Sequence, residues 1–467
     1  MTVALRITGR QYSALSAHLY PGDGMEAVSV GACGRHRGQH GHILTLHKLV
    51  HIPYDESRRT DVNVSWSTRR LEQLLVEAIA RDLAIVKFHS HPGGYAHFSD
   101  TDNLADASLF SSVHGWTDGA DPHASVVILP EGQMFGRAVH PDGRFQQLHR
   151  IAVAGDDLKF FDGTGEAFVP QPAFDRQVRM FGEATSVLFG RLSIGVVGCS
   201  GTGGPVVEML GRLGVGRLVL IDPDRLGVEN LPRIPNATAA DADAGTHKVH
   251  VLARAVEATG LGTVVEPLAV NVAESPEAVR ALAGVDVVIG CVDSVEGRHV
   301  ANRLAAFYNL PYFDVGVKLI ADGMGTVEEV CGAIHYVQPD GSSLLDRRVY
   351  TIEQLRAEAL RRSDPEAYAE LRRSKYIDGV EEPRPAVVSV NTQFAATLVN
   401  ELLARLHPYR LDSNAEFAVI RLSLAQMQTY CEREDDEAGR AFSRHVGRGD
   451  VTPLLEMPQF SEMAVTA

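Results

Sequence analysis

The chain has 467 residues, 45% of them hydrophobic, and a formal charge of 44 − 59 = −15. That length exceeds one ordinary core and predicts two or three domains, and the acidity excludes binding to a phosphate backbone. No apolar run reaches the roughly 18 residues of a membrane span, and the opening MTVALRITGR lacks the long apolar stretch of a secretory signal. The five cysteines (33, 199, 291, 331 and 431) include no C-x-x-C pair. They predict free thiols in a reducing cytoplasm, with no disulfide scaffold and no cysteine zinc site.

In chain order, strands are expected at Val28–Cys33 and His42–His51, then a helix over Thr68–Asp82 with Leu71, Leu74, Leu75, Ala78 and Ile79 on one face. A compact apolar strand at Leu83–His89, a helix at Ser99–Phe110 and a strand at Ala124–Leu129 complete a first mixed domain, residues 1–152. Residues 153–172, rich in glycine, acids and proline, read as a linker. From Arg191 strands alternate with helices: Leu192–Val197, Pro205–Leu213, Arg217–Ile221, then VVEPLAV, VDVVIGC and a helix near Glu296–Tyr308. That rhythm predicts a doubly wound parallel sheet over residues 173–431. Residues 345–385 read as charged, helical and exposed, and residues 432–467 as a polar tail in which Arg448-Gly449-Asp450 is a turn.

Two motifs carry chemistry. In His89-Ser90-His91-Pro92, histidines at i and i+2 of an extended segment face one side and can grip one metal. Asp102, at the start of the following helix, can close on the same ion. Two imidazoles and a carboxylate leave tetrahedral zinc an open position for water, the mark of a catalytic site. Taken singly, the histidines read equally as exposed side chains, and Ser99-x-x-Asp102 as a helix cap. The second motif is Gly198-Cys199-Ser200-Gly201-Thr202-Gly203, between a strand and a helix, where glycines let backbone approach phosphate and the helix N-terminus attracts negative charge. Ser200 replaces the second glycine of the dinucleotide fingerprint, so NAD, FAD and ATP all remain open. Asp222 ends the next strand, where an acid can grip ribose hydroxyls. The polar and cationic set Asp224, Asn230, Arg233 and Lys248 suits a triphosphate, and Asp293, just past another strand, suits magnesium.

Together the first residues match H-x-H-P-x(6)-S-x-x-D, which resembles the JAMM motif of MPN-fold deubiquitinases, and the resemblance covers about residues 1–150. It implies zinc on His89, His91 and Asp102, an oxyanion role for Ser99, and a glutamate base upstream, for which Glu26 in M-E-A-V-S-V-G-A-C-G fits. Glu72 and Glu77 read as solvated, and His97 as facing the cleft or solvent. The second pattern, from Asp175 to about Leu406, resembles the ThiF/MoeB family, whose fold ubiquitin-activating enzymes share. By that resemblance Asp222 binds ribose, Arg233 and Lys248 contact phosphates, Asn230 orders the site and Asp293 holds magnesium. Arg176 in D-R-Q then reaches a partner subunit's ATP, and a homodimer follows. The chain departs from many relatives in having no paired C-x-x-C for a structural zinc and no cysteine in residues 340–390 for a thioester. Cys331 reads as buried, Cys199 as packing in the glycine loop and Cys431 as exposed.

The expected protein is therefore bifunctional. A zinc isopeptidase cuts after the terminal glycine of a ubiquitin-like protein, and an ATP-dependent adenylyltransferase activates that glycine. Such fusions resemble parts of bacterial ubiquitin-like operons, some linked to antiviral defence. The rival readings are a sulfur-carrier adenylyltransferase, a regulatory or inert MPN scaffold in front of a working adenylation half, and an NAD oxidoreductase. No membrane partner is expected.

Overall fold

The computed structural model describes residues 1–39, 41–163, 171–373, 386–435 and 439–461. Its contacts divide the chain into two compact units. One is Met1–Ala167 with Ala306–Asn309 and Arg444–Thr452; the other is Phe168–Ala305 with Leu310–Ser443 and Pro453–Ala467. Among the described residues no helix is long and apolar enough to cross a membrane.

The first unit contains β1 (Thr2–Thr8), α1 (Gly9–Leu19), β2 (Val28–Gly38), β3 (Gly41–His51), β4 (Ser57–Arg59), β5 (Val64–Trp66), α2 (Arg69–Arg81), β6 (Ala84–Ser90) and α3 (Asp100–Thr117). It continues through β7 (His123–Ile128), β8 (Met134–Val139), β9 (Phe145–Gln147), β10 (Arg150–Ala154) and β11 (Leu158–Asp162). Nine strands make one mixed sheet in the order β11-β10-β1-β3-β2-β6-β7-β8-β9, and β4 and β5 form a separate ribbon. The period of two in each strand sorts side chains between two cores. Val86 and Phe88 of β6 pack with Leu15 and Leu19 of α1. Ile85 of β6 and Val28, Val30 and Ala32 of β2 pack with Leu71 and Leu75 of α2 and Phe110 and Val113 of α3. The same parity sends Lys87 and His89 to the α3 side.

Four expectations need correction here. Residues 153–162 are not linker: Leu158-Lys159-Phe160-Phe161 pairs with β10 as an antiparallel hairpin, and the glycine and acids at 155–157 are its turn. Residues 164–170 lie outside the described residues. Helix α3 runs on to Thr117 because Val113 continues its buried face beyond Phe110. Part of the supposed tail belongs to the first sheet: Gly34 N donates to Gly447 O (3.0 Å) and Asp450 N to Arg35 O (2.7 Å). Asp450 accepts in turn from Arg37 N and pairs with the His36 ring at 3.0 Å. A Cβ at Gly34 would lie 2.2 Å from the Arg448 carbonyl carbon, and Gly447 and Gly449 sit at φ +68° and +64°, so close approach demands glycine on both sides. Ile79, placed on the buried face of α2 by periodicity, is 49% exposed.

The second unit opens with α4 (Asp175–Arg191), β12 (Ser193–Val197), α5 (Gly203–Arg212), β13 (Arg217–Ile221), α6 (Ala239–Asp243), α7 (Lys248–Ala258), β14 (Val264–Leu268), α8 (Pro276–Ala283), β15 (Val287–Gly290) and α9 (Val295–Tyr308). Then come β16 (Tyr312–Ala321), β17 (Val327–Val337), α10 (Ile352–Ser363), α11 (Pro365–Arg373), α12 (Val388–Leu406), β18 (Val419–Ser423) and β19 (Gln428–Glu432). The eight-stranded sheet runs β14-β13-β12-β15-β16-β17-β18-β19. It is parallel through β16, as alternating strands and helices require, and antiparallel from there on. Within the charged stretch 345–351 form turns rather than helix, Ile352–Ser363 and Pro365–Arg373 are helical, and 374–385 lie outside the described residues. All five cysteines are free: Cys33 and Cys199 are buried, Cys431 is exposed, and Cys331 is half-buried rather than buried, its thiol directed to Glu329.

Candidate active sites

His89 is the penultimate residue of β6 and His91 lies just past its end, so both face α3. Asp102 sits in the first turn of α3. The helix is capped reciprocally: Asp102 N donates to Ser99 Oγ (3.1 Å), while Ser99 N and Oγ donate to Asp102 Oδ2 (2.8 and 2.7 Å). That cap orients the carboxylate, leaving Oδ1 3.0 Å from His89 Nε2 and Oδ2 3.4 Å from His91 Nε2. The two Nε2 atoms are 3.1 Å apart. Zinc–nitrogen bonds of about 2.0–2.1 Å put tetrahedral ligands roughly 3.3–3.4 Å apart, so the two imidazoles and the carboxylate already stand at the spacing zinc requires. His91 Nδ1 faces Tyr95 O at 2.7 Å, and a proton there leaves Nε2 as a lone pair. Burial and the nearby Lys87 ammonium push the His89 ring down to about 4, so it is neutral, as a ligand must be. The donor set and its geometry fit zinc. His97 is exposed, beside Tyr95.

Glu26 comes to this group through strand register. In the antiparallel β2–β6 pair Val28 faces His89, and the pairing continues as Ser90 N donates to Ala27 O (3.2 Å). Two residues further along, Glu26 therefore faces His91. It is 6% exposed, and burial pushes its carboxyl up to about 7. Glu26, His89 and Asp102 line one cavity.

Arg137, on β8, escaped the sequence reading. Its guanidinium lies between the Phe98 and Phe145 rings (3.8 and 3.9 Å to the centroids). It donates to Asp102 O (3.1 Å), Asn103 Oδ1 (2.5 Å) and Asp106 Oδ2 (2.7 Å). Asp106 is fully buried and also takes the Lys87 ammonium. The only sequence signal is an arginine inside Met134-Phe135-Gly136-Arg137-Ala138-Val139. Removing one partner from a buried ionic cluster typically costs about 3–5 kcal/mol. Arg137→Ala is thus expected to lower stability by about that much in urea unfolding, with Arg137→Lys recovering part of it.

In the second unit the glycine loop joins β12 to α5. Gly198 has φ +90°, and a Cβ there would meet Cys291 O at 2.6 Å; one on Gly203 would meet Gly198 O at 1.8 Å. The loop is thus held against the segment after β15 that carries Asp293, an exposed residue. Ser200 occupies the loop and its carbonyl accepts Gly204 N (2.7 Å), opening α5. Asp222, past the end of β13, is buried and accepts Cys199 N on Oδ2 (2.7 Å) and Asp224 N on Oδ1 (2.9 Å). Lys248, at the start of α7, reaches Asp224 (2.7 Å). A Cβ on Gly201 would touch Asn391 Nδ2 at 2.4 Å and Arg233 Cδ at 3.2 Å, which brings Arg233 to the loop together with an asparagine of α12 that the sequence did not flag. Asn230 is buried and closes its own turn, Oδ1 accepting Gly227 N (2.9 Å). Burial pushes the Cys199 thiol well up, so it packs rather than reacts. Arg176 is exposed on α4, and no described contact joins it to this cluster. Bare glycine backbone, a helix N-terminus and two cationic side chains fit a nucleotide triphosphate.

A family model described as the ThiF family matches residues 174–438, more than half of the chain. The chain belongs to the ThiF family. In this ThiF protein a second family model, prokaryotic homologs of the JAB domain, matches residues 9–138, so the chain is a fusion of the two. The SAMP-activating enzyme E1 of Haloferax volcanii is 34% identical over 116 residues, 25% of this chain and 42% of that one. The adenylyltransferase and sulfurtransferase MOCS3 of Mus musculus is 37% identical over 163 residues, 35% and 32% of the two chains. The chain thus spans less than half the length of these curated relatives. The crystal structure of E. coli MccB with ATP superposes at a TM-score of 0.44, with 15% identity, over 60% of this chain and 76% of that one.

Proposed function

We propose that the JAB unit is a zinc-dependent peptidase or isopeptidase and that the ThiF unit adenylates the C-terminal glycine of a ubiquitin-like protein. The observation that carries the first half is the convergence of the ligand atoms of His89, His91 and Asp102 within 4.8 Å of one another, beside a cavity that Glu26, His89 and Asp102 line. His89, His91 and Asp102 would hold the zinc, which when bound makes water acidic and polarises a carbonyl. Glu26 takes a proton from water in the cavity and returns it to the leaving amine. Ser99 orients Asp102, and its hydroxyl serves the substrate oxyanion by turning from that carboxylate. In the ThiF unit the substrate carboxylate attacks the α-phosphorus of ATP, giving acyl-adenylate and pyrophosphate. Asp222 takes the ribose, Lys248 and Arg233 the phosphates, Asn230 and the glycine loop keep the cradle in shape, and Asp293 takes magnesium. Arg176 acts across a homodimer. The match to MOCS3 favours a second reading for the carrier, a sulfur-carrier protein in place of a conjugated ubiquitin-like one.

The test is pyrophosphate release from ATP with a ubiquitin-like protein ending in Gly-Gly, compared with the same protein carrying a short C-terminal extension. Release with both, and with the extended form only while His89 and His91 are intact, is the expected result. Release with neither rejects the carrier chemistry. Equal release from the extended form in a His89→Ala protein rejects the trimming step.

A further inference from the structure

The cavity beside the candidate zinc ligands has a volume of about 870 Å³. That is within the range of pockets that hold a sizeable ligand and has room for several side chains. One wall carries Glu26, His89 and Asp102; most of the rest is apolar, including Trp66, Leu75, Val76, Ile79, Leu109 and Trp116 from β5, α2 and α3. The chain has two tryptophans, and both line this cavity. The core explains Leu75 and holds Trp66 and Leu109 at its edge, but it does not explain Val76, Ile79 and Trp116. Helix α2 is already anchored by Leu71, Leu74, Leu75 and Ala78, yet Val76 and Ile79 remain 72% and 49% exposed, and Trp116 on α3 is 67% exposed. Single exposed apolar residues are ordinary, but a continuous set around a cavity marks a binding surface. The charge is one-sided. Glu26, Glu72 and Asp102 line the cavity, while its one cation, Lys87, is taken by buried Asp106.

We propose that this groove is a substrate subsite: it takes an extended stretch of the cleaved polypeptide bearing bulky apolar side chains, and it discriminates against acidic ones. The inference rests on the peptidase reading and names its substrate class. The wall shared with Glu26, His89 and Asp102 holds the bound backbone beside the reacting bond.

The two tryptophans provide a readout that needs no metal. The full chain, stripped of metal, is titrated with two peptides that are identical except for leucines or aspartates on both sides of a Gly-Gly. The leucine peptide is expected to shift tryptophan emission saturably, with the aspartate peptide at least tenfold weaker. Ile79→Asp and Val76→Asp, both at exposed positions, are expected to abolish the shift while keeping the thermal midpoint. With zinc, the leucine peptide is expected to be cut with at least tenfold higher kcat/KM than the aspartate peptide, and Ile79→Asp to erase that ratio. Equal binding of both peptides, or cleavage without discrimination, overturns the subsite and leaves the peptidase standing. Selective binding with no cleavage of either peptide overturns the substrate role along with the peptidase reading. Emission that changes with protein concentration alone, alongside dimer formation, means that a second copy covers the groove, and also overturns it.

Discussion

A His91→Ala protein is expected to bind zinc far more weakly than wild type and to lose metal-dependent peptide cleavage by about 10³-fold or more. Loss of an outer-shell partner alone costs roughly 10–100-fold in metal affinity, and here a direct ligand is removed. A zinc-polarised carbonyl supplies several kcal/mol of transition-state stabilisation, and each 1.36 kcal/mol is about tenfold in rate. The fold is expected to survive. The Ser99–Asp102 cap and the Arg137 contacts hold the start of α3 without help from His91. Zinc measured after dialysis, cleavage rate and thermal midpoint on the same preparation check the three parts. Zinc at full occupancy with unchanged turnover would remove His91 from the site.

The second large effect belongs to the ThiF unit. Lys248→Ala is expected to lower ATP–pyrophosphate exchange by about 10²–10³-fold, the usual scale for removing one preorganised group from developing charge. The Asp224 carboxylate it leaves behind is 63% exposed and rehydrates, so the stability cost is confined to the packing of the buried Lys248 stem, 7% exposed. Asp222→Ala is the poorer probe, because it strips the acceptor from two backbone amides, Cys199 N and Asp224 N. Buried groups left unsatisfied cost about 1–3 kcal/mol each, so lost binding and lost loop structure would fall together. Unchanged exchange in Lys248→Ala, with the protein folded, would sink the phosphate role.

Much of the geometry of both candidate sites was legible because it depends on short-range spacing. His89 and His91 share a strand face, Asp102 is fixed by its cap three residues after Ser99, and the glycine loop lies between a strand and a helix that both announce themselves by periodicity. Glu26 was reachable only by pattern, since its meeting with His91 depends on which residues of β2 and β6 pair. Arg137 and Asn391 were not legible. Arg137 is one polar residue in an otherwise apolar strand, Asn391 is one of several polar residues in α12, and the partners of both lie far away in sequence. The hairpin at 150–162 was misread because its glycine and acids outweighed the short Leu-Lys-Phe-Phe signal. Cys331 was misplaced because its strand is less deeply covered than its apolar neighbours suggested.

The strand-like clip at 444–452 sets an order on synthesis. The sheet that carries His89 begins with the second residue of the chain, yet Gly34 and Arg35 find their partners only when Gly447 and Asp450 leave the ribosome. The first unit therefore stays unfinished until residue 452 has emerged, and a chain stopped or cut near residue 440 arrives with an incomplete JAB half, however far that break is from the candidate metal ligands.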